Sequence, residues 1–129
     1  MKLLLDTHAF LWFISGSAAL SSHARALIED EANDKLVSIG SVWEIAIKNS
    51  IGKLPLAKPF GQLIPDQLQR GGFEVLGLTV GHTAQLAQLP HHHHRDPFDR
   101  MLVAQCLAEN LPLVSSDEAL DAYGIKRLW

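Results

Sequence analysis

The sequence has a single cysteine, Cys106, and only six prolines. The first count argues against a disulfide-bonded protein, and the second is in line with a folded chain. One cysteine has no intrachain partner, so the chain is not a scaffold held together by disulfides. Hydrophobic residues make up 47% of the chain and charged residues 19%, a balance that can offset the entropy lost on folding. We therefore expect a folded protein in a reducing, cytoplasmic compartment.

Long apolar runs are also missing, since none approaches the roughly 20 residues that a membrane-spanning helix needs. The amino-terminal run has the look of a signal peptide, but Asp6 and His8 interrupt it and no small-residue cleavage site follows. An excess of positive charge is absent too, because the formal net charge is -3. Binding of nucleic acid therefore needs a local arrangement that draws on the nearest cationic residues. These residues are Lys48, Lys53, Lys58, Arg95 and Arg100.

Apolar runs of strand length alternate with longer segments of helical period, which predicts βαβ units and a parallel sheet. The predicted strands cover residues 2–5, 36–39, 73–78, 113–115 and, at an edge, 126–128. The predicted helices cover residues 9–14, 22–31, 41–51, 61–70, 79–89, 97–109 and 117–123. No linker divides the 129 residues, so we expect a single α/β domain with three α/β/α layers and a mainly parallel sheet of four to five strands.

Four carboxylates follow a predicted strand directly or lie in the first turn of a predicted helix: Asp6, Glu44, Asp99 and Asp117. Right-handed crossovers bring such positions to the carboxyl edge of the sheet, where open α/β folds bind ligands. Gathered acids raise one another's pKa unless a cation neutralises them, and oxygen ligands favour Mg²⁺ or Mn²⁺. The hypothesis is that Asp6 and Asp99 bind metal directly, while Glu44 and Asp117 complete the coordination directly or through water.

Two of these acids have a structural explanation that is the better one for each residue taken alone. Ser41 and Glu44 have the spacing of a capping box, and Glu44 could instead pair with Lys48 one turn later. Asp96 has the features of an N-cap before Pro97, which leaves Asp99 as an acid in the first turn.

For the other two acids the structural explanation is weaker. Asp117 could complement a helix dipole beside Ser116. Asp6 is harder to explain, because an unpaired carboxylate behind three leucines is costly to bury. In the helix predicted at residues 41–51, apolar side chains leave one polar stripe of Ser41, Glu44 and Lys48. We expect that helix to be largely buried, with its acid meeting a partner or a metal, or opening onto a cleft.

Three segments, LLLDTHAFLW, SVWEIAIKNSIGKL and HRDPFDRMLVAQCLAENLPLVSSD, resemble in this order the PIN-domain toxins of the VapC type. The resemblance implies a toxin of a type II toxin–antitoxin pair that hydrolyses RNA phosphodiester bonds with Mg²⁺ or Mn²⁺. By position it implies that Asp6, Glu44, Asp99 and Asp117 are the catalytic, metal-binding acids. A metal-bound water would then attack the phosphodiester, so that no protein nucleophile is needed.

The resemblance also suggests supporting roles for the neighbouring polar residues. Asp96 is expected to cap its helix or to support the ligands from outside. Ser115 and Ser116 stand where many relatives have threonine, and either hydroxyl could orient a water or a phosphate oxygen. Arg100 or Lys48 could contact phosphate, although a structural ion pair is the better expectation for each.

The family further implies a homodimer and an antitoxin peptide bound in an apolar groove beside the active site. The first helix, with Phe10, Leu11, Trp12 and Phe13, is apolar enough to contribute to such a groove. His8 is expected to be a polar group near Asp6. The tract from His91 to His94 is expected to be a solvated loop that could bind transition metals.

Two other functions remain open from the sequence. A phospho-receiver domain also has α/β/α layers and binds Mg²⁺, but it needs an aspartate after a middle strand, and the third strand here, FEVLGL, ends without one. A catalytically silent PIN domain that serves only as a binding module is the second alternative, and the presence of all four acids argues against it.

Overall fold

A computed structural model of the protein describes residues 1–91 and 96–129, and its described strands form one parallel sheet. The strand order is β3-β2-β1-β4-β5. The strands are β1 (Lys2–Leu5), β2 (Asp34–Ser38), β3 (Phe73–Leu76), β4 (Leu113–Val114) and β5 (Arg127–Leu128). The predicted parallel sheet is confirmed, and the strand expected at an edge is β5.

Helices connect these strands and cover both faces of the sheet. They are α1 (Thr7–Ser15), α2 (Ser22–Glu29), α3 (Ile39–Ser50), α4 (Phe60–Arg70), α5 (Val80–Ala87), α6 (Pro97–Glu109) and a short 3-10 helix (Glu118–Tyr123). None of the helices in the described ranges has both the length and the apolar character needed to cross a membrane.

Successive side chains along a strand point to opposite faces of the sheet, so the core has two halves, one on each face. Leu3 and Leu5 of β1 pack with side chains from α1, α2 and α4. Leu4, which points the other way, packs with side chains from α6 and the 3-10 helix. The central strands β1 and β4 are buried on both faces, so residues 3–5 and Leu113–Val114 are continuous apolar runs, as is usual for parallel strands. The α/β/α layering predicted from the sequence is confirmed.

The order of the strands determines where a ligand can bind. The chain first moves outward from β1 to β2 and β3, and then crosses through α5 and α6 to β4 on the other side of β1. Open α/β sheets bind ligands where the direction reverses, here between the carboxyl ends of β1 and β4. A phospho-receiver domain has the order 2-1-3-4-5, so this topology excludes that alternative.

The start of α3 differs from the prediction. The second strand was expected to end at Ile39, but it ends at Ser38, which is the N-cap of α3 and accepts a hydrogen bond from the Gly40 amide. Because the helix begins before Ser41, the capping box predicted for Ser41 and Glu44 is wrong. Ser41 lies inside the helix and is buried.

The orientation of α3 also differs from the prediction that it is largely buried. Its polar stripe of Ser41, Glu44 and Lys48 faces the protein, and both Ser41 and Glu44 are buried. Its outer face carries an apolar stripe of exposed side chains, which consists of Ile39, Trp43, Ile47 and Ile51. The reason is that the polar side chains find hydrogen-bond partners inside the protein, and turning them inward turns the apolar ones outward.

Most other boundaries agree with the predictions within two residues, and α6 has the predicted bounds. The strand predicted at residues 73–78 ends at Leu76, because its partner β2 ends at Ser38. His91 is exposed, whereas the rest of the histidine tract and Arg95 lie outside the described residues.

Candidate active site

Asp6 and Asp117 lie at the crevice between β1 and β4. Asp6 directly follows β1, is buried, and caps α1 by accepting a hydrogen bond from the Ala9 amide at 2.7 Å. Ser115 directly follows β4, and its side chain forms hydrogen bonds with the Asp6 carboxyl and with the Asp117 amide, the latter at 3.1 Å. Asp117 caps the 3-10 helix through Ala119. One hydroxyl therefore joins the two predicted acids.

Burial is the main reason why the pKa of Asp6 is raised above its ordinary value, and the charge of Asp117 raises it further. The hydrogen bonds with Ser115 and Ala9 and the charge of His8 oppose this effect but do not cancel it. Burial therefore disfavours the charged form of the Asp6 carboxyl. A bound cation would stabilise that form.

Glu44 forms a second centre on the inner face of α3. Thr7 Oγ1 lies 2.7 Å from Glu44 Oε1 and 2.9 Å from Ser41 Oγ. Since a hydroxyl has one proton and an ionised carboxylate has none, Thr7 donates to Glu44 and accepts from Ser41. Lys48 Nζ donates to the other oxygen, Oε2, at 2.6 Å. The ion pair predicted between Glu44 and Lys48 is confirmed.

Lys48 links this second centre to the start of α6. The pKa of Lys48 is raised chiefly by the hydrogen bond to Glu44, and also by the charges of Glu44, Asp96 and Asp99, against the opposing effect of burial. Asp96 caps α6, since its Oδ1 accepts from the amides of Phe98 and Asp99 at 2.8 and 3.0 Å. The capping role predicted for Asp96 is confirmed, and Asp99 lies half-buried in the first turn.

Among the described residues, two sets of contacts surround these acids. Ser115 bonds to the Asp6 carboxyl and to the Asp117 amide, and Lys48 bonds to Glu44 and lies in the field of Asp96 and Asp99. The sets are joined through the neighbours Asp6 and Thr7. Across residues 1–91 and 96–129, no three His, Cys, Asp or Glu side chains are close enough as they stand to hold a metal ion.

Some residues named from the sequence have a clear structural role. Arg100 is buried and donates to the carbonyls of Leu89 and Pro90 and to the Tyr123 hydroxyl, so it holds the connection between α5 and α6. Ser116, Lys53 and Lys58 are exposed.

Thr7 is the functional candidate that the sequence reasoning missed. It is buried, and it connects the Asp6 turn to Glu44 and Ser41. The sequence does contain a signal for it. Asp6 follows a buried strand and caps a helix, and Thr7 is the first residue of that helix.

An apolar groove of about 300 Å³ lies beside this site, between α1 and the segment that leads into α4. Its wall includes His8, Leu11, Trp12, Leu54, Leu56 and Leu63. His8 stacks on Trp12, with 5.5 Å between the ring centroids, and Trp129 packs edge-on against Trp12. His8 follows Thr7, so the groove begins close to these two sets of contacts.

A family model of the PIN domain matches residues 3–126, and the chain belongs to the PIN-domain family. A segment of 63 residues is 40% identical to Ribonuclease VapC16 of Mycobacterium tuberculosis (strain ATCC 25618 / H37Rv). This match covers 49% of the chain and 45% of that protein, less than half the length of the relative. The resemblance inferred from the three sequence segments is thereby confirmed.

Three solved structures have the same fold as this chain. VapBC2 from Rickettsia felis, bound to a DNA fragment from its promoter, matches with a TM-score of 0.75 and 15% identity over 100% of this chain and 99% of that one. VapBC-1 from nontypeable Haemophilus influenzae matches with a TM-score of 0.69 and 13% identity over 99% of this chain and 97% of that one. FitAcB from Neisseria gonorrhoeae matches with a TM-score of 0.66 and 17% identity over 100% of this chain and 97% of that one.

Proposed function

We propose that this protein is a metal-dependent endoribonuclease and the toxin of a toxin–antitoxin pair. The observation that carries the proposal is the buried carboxylate of Asp6, with a raised pKa, at the crevice between β1 and β4. Asp117 and Ser115 stand beside it, and the PIN-domain match covers the whole site. The fold and its relatives support a nuclease.

The donor set fits a hard divalent cation. Every candidate ligand is a carboxylate oxygen. Cys106, the only thiol in the sequence, is buried in the hydrophobic core and is not among the candidates. We propose that Asp6 and Asp99 hold Mg²⁺ or Mn²⁺, with Glu44 and Asp117 completing the coordination directly or through water. When bound, such an ion supplies a nucleophilic water at neutral pH and neutralises charge on the phosphate.

The chain's own residues would hold the acids in place for this chemistry. Ser115 orients Asp6 and the turn at Asp117, and Thr7 orients Glu44. Asp96 fixes the first turn of α6, which carries Asp99. Helix N-termini at the same edge offer backbone amides that suit a phosphate of the RNA.

A catalytically silent binding module is the second candidate. The observation that favours it is that the described parts of the chain contain no group of three His, Cys, Asp or Glu side chains placed to hold a metal ion. A silent module needs no metal, so metal binding and cleavage decide between the two candidates.

The test is cleavage of mixed single-stranded RNA by the purified protein with Mg²⁺ or Mn²⁺, compared with EDTA. The matched variants are Asp6→Asn, Asp99→Asn and, as a control, Asp34→Asn, whose exposed acid lies at the opposite edge of the sheet. We expect cleavage by the wild type and the control only. Cleavage that survives EDTA and both site variants would come from a contaminant and would remove the support for this proposal.

The apolar groove beside the site supports an antitoxin peptide as the partner. An amphipathic segment that filled it would lie against His8 and Trp12, next to the acids. We expect Leu11→Arg to abolish binding of the cognate antitoxin while RNA cleavage remains. Unchanged binding by this variant would assign the antitoxin to another surface.

The exposed apolar stripe of α3 supports a homodimer. Trp43, at 59% exposure, lies on this stripe and packs edge-on against Phe98 with 5.4 Å between the ring centroids. A stripe of this kind on a soluble protein marks an interaction surface. We propose that it pairs with the same stripe of a second copy, and that the protein acts in the cytoplasm, where Cys106 stays reduced.

A further inference from the structure

The Glu44–Lys48 ion pair brings a flexible cation into the same acidic site that is proposed to bind metal. Lys48 Nζ lies 2.6 Å from Glu44 Oε2, and the ammonium is also in the field of Asp96 and Asp99. These acids belong to two different elements, α3 and the start of α6. The ammonium of Lys48 is therefore bonded to Glu44 and attracted by acids of a second element.

The two partners of this ion pair differ in their freedom to move. The side chain of Glu44 is 7% exposed, and its second oxygen is fixed by Thr7. The side chain of Lys48 is 41% exposed and hangs on a flexible four-carbon stem. If the pair has to separate, the lysine is the partner that can leave for solvent without disturbing the fold.

We propose that Lys48 is a built-in competitor of the divalent cation: it pairs with Glu44 in the metal-free protein and releases Glu44 when metal binds. This inference rests on the proposed metal site. An ammonium and a divalent cation repel each other, and both seek the oxygens of one carboxylate. Metal binding therefore includes the cost of breaking the Glu44–Lys48 pair.

The first test is the affinity for Mn²⁺, measured by electron paramagnetic resonance of the free ion. Lys48→Gln and Lys48→Met remove the competing charge, and we expect both to bind Mn²⁺ about fivefold more tightly, as suits a partly exposed ion pair. Lys48→Arg keeps the charge, and Lys53→Gln removes an exposed charge just beyond the same helix. We expect these two to stay within about twofold of the wild type.

The second test uses the wild type alone, so it does not depend on a variant that folds. Acetylation of lysines by an activated ester is followed by mass spectrometry with and without Mn²⁺. We expect Mn²⁺ to increase the labelling of Lys48 relative to Lys53, because the amine leaves its hydrogen bond with Glu44. A lysine with a merely structural role would be labelled equally in both conditions.

The outcomes separate this inference from the proposed function. If the wild type binds Mn²⁺, but the neutral variants bind it equally or more weakly and Lys48 labelling does not change, the competitor role is overturned and the metal site stands. If neither the wild type nor any variant binds Mn²⁺, the proposed metal site fails, and the competitor role fails with it.

Discussion

Asp6 combines two roles that can be separated by substitution. Its Oδ1 caps α1, and its charge is buried at the crevice between β1 and β4. We expect Asp6→Asn to keep the cap and the fold, because asparagine is an equally good capping residue. The same change should lower RNA cleavage at least about 100-fold, since the charge for the metal is lost.

The measurements are thermal unfolding without metal and initial rates of cleavage. Asp6→Ala is the matched control, because it also loses the cap and should cost about 1 kcal/mol of stability relative to Asp6→Asn. An Asp6→Asn protein that unfolds as easily as Asp6→Ala would show that the buried charge itself holds the fold together.

Thr7 is expected to matter for both stability and activity, because its hydroxyl reaches Glu44 and Ser41. Thr7→Val has nearly the same shape but leaves a buried carboxylate oxygen without its donor, which should cost about 1–3 kcal/mol in urea unfolding. Thr7→Ser keeps the hydroxyl and should lose much less. Equal stability of the valine variant and the wild type would contradict the contact.

Cys106 is expected to be chemically inert in the folded protein. It is 2% exposed, and burial raises its pKa to about 12. Almost no thiolate exists at pH 8, so a thiol reagent such as DTNB should react with the denatured protein within minutes and with the native protein only through unfolding. Rapid labelling of the native protein would show that α6 opens.

The sequence predicts single residues well where one local rule decides their role. The cap at Asp96 and the ion pair between Glu44 and Lys48 depend on spacing along one helix, and both are confirmed. The partner of Ser41 could not be predicted in this way. It is Thr7, from another helix, and only the packing of α1 against α3 brings the two together.

At the scale of elements, α6 is the helix whose start is most important for the site. Asp96 accepts two backbone amides there, and Asp99 lies in the same turn. We expect Asp96→Ala to lower the free energy of unfolding by about 1 kcal/mol and Asp96→Asn to be nearly neutral. Chemical denaturation checks both values.

Cleavage rates of these two variants then separate capping from metal binding. If Asp96 only caps the helix, Asp96→Asn should retain most of the activity. A full loss of activity in a stable Asp96→Asn protein would make Asp96 a ligand.

Element types were easier to predict from the sequence than the faces that the elements bury. The apolar residues of α3 predict a buried helix, yet Ile39, Trp43 and Ile47 are exposed while Glu44 is buried. Burial was decided by partners on α1 and by the lysine one turn later, and hydrophobic periodicity contains neither kind of information.

At the scale of the whole molecule, the exposed stripe of α3 predicts an oligomer. Ile47→Glu places a charge in the middle of the stripe, and we expect it to shift the protein from dimer to monomer in light scattering after size exclusion. Ala18→Glu adds the same charge to an exposed turn and should leave the mass unchanged. A monomeric wild type would contradict the proposed dimer.

The layered α/β/α architecture could be predicted from the alternation of strand and helix patterns. The order of the strands in the sheet could not. Residues 2–5 and 113–114 are far apart in sequence but adjacent in the sheet, with Leu5 beside Val114. Nothing local in either strand specifies that pairing. It depends on how the helices cover both faces.

The pairing of β1 with β4 has a consequence for the moment at which the protein becomes active during its synthesis. The ribosome makes Asp6 before the rest of the site, and Ser115 and Asp117 are added only after β4 has been translated. A nascent chain that stops before β4 has no second wall for the crevice. If the proposed nuclease activity is correct, an unfinished copy would therefore lack part of its active site.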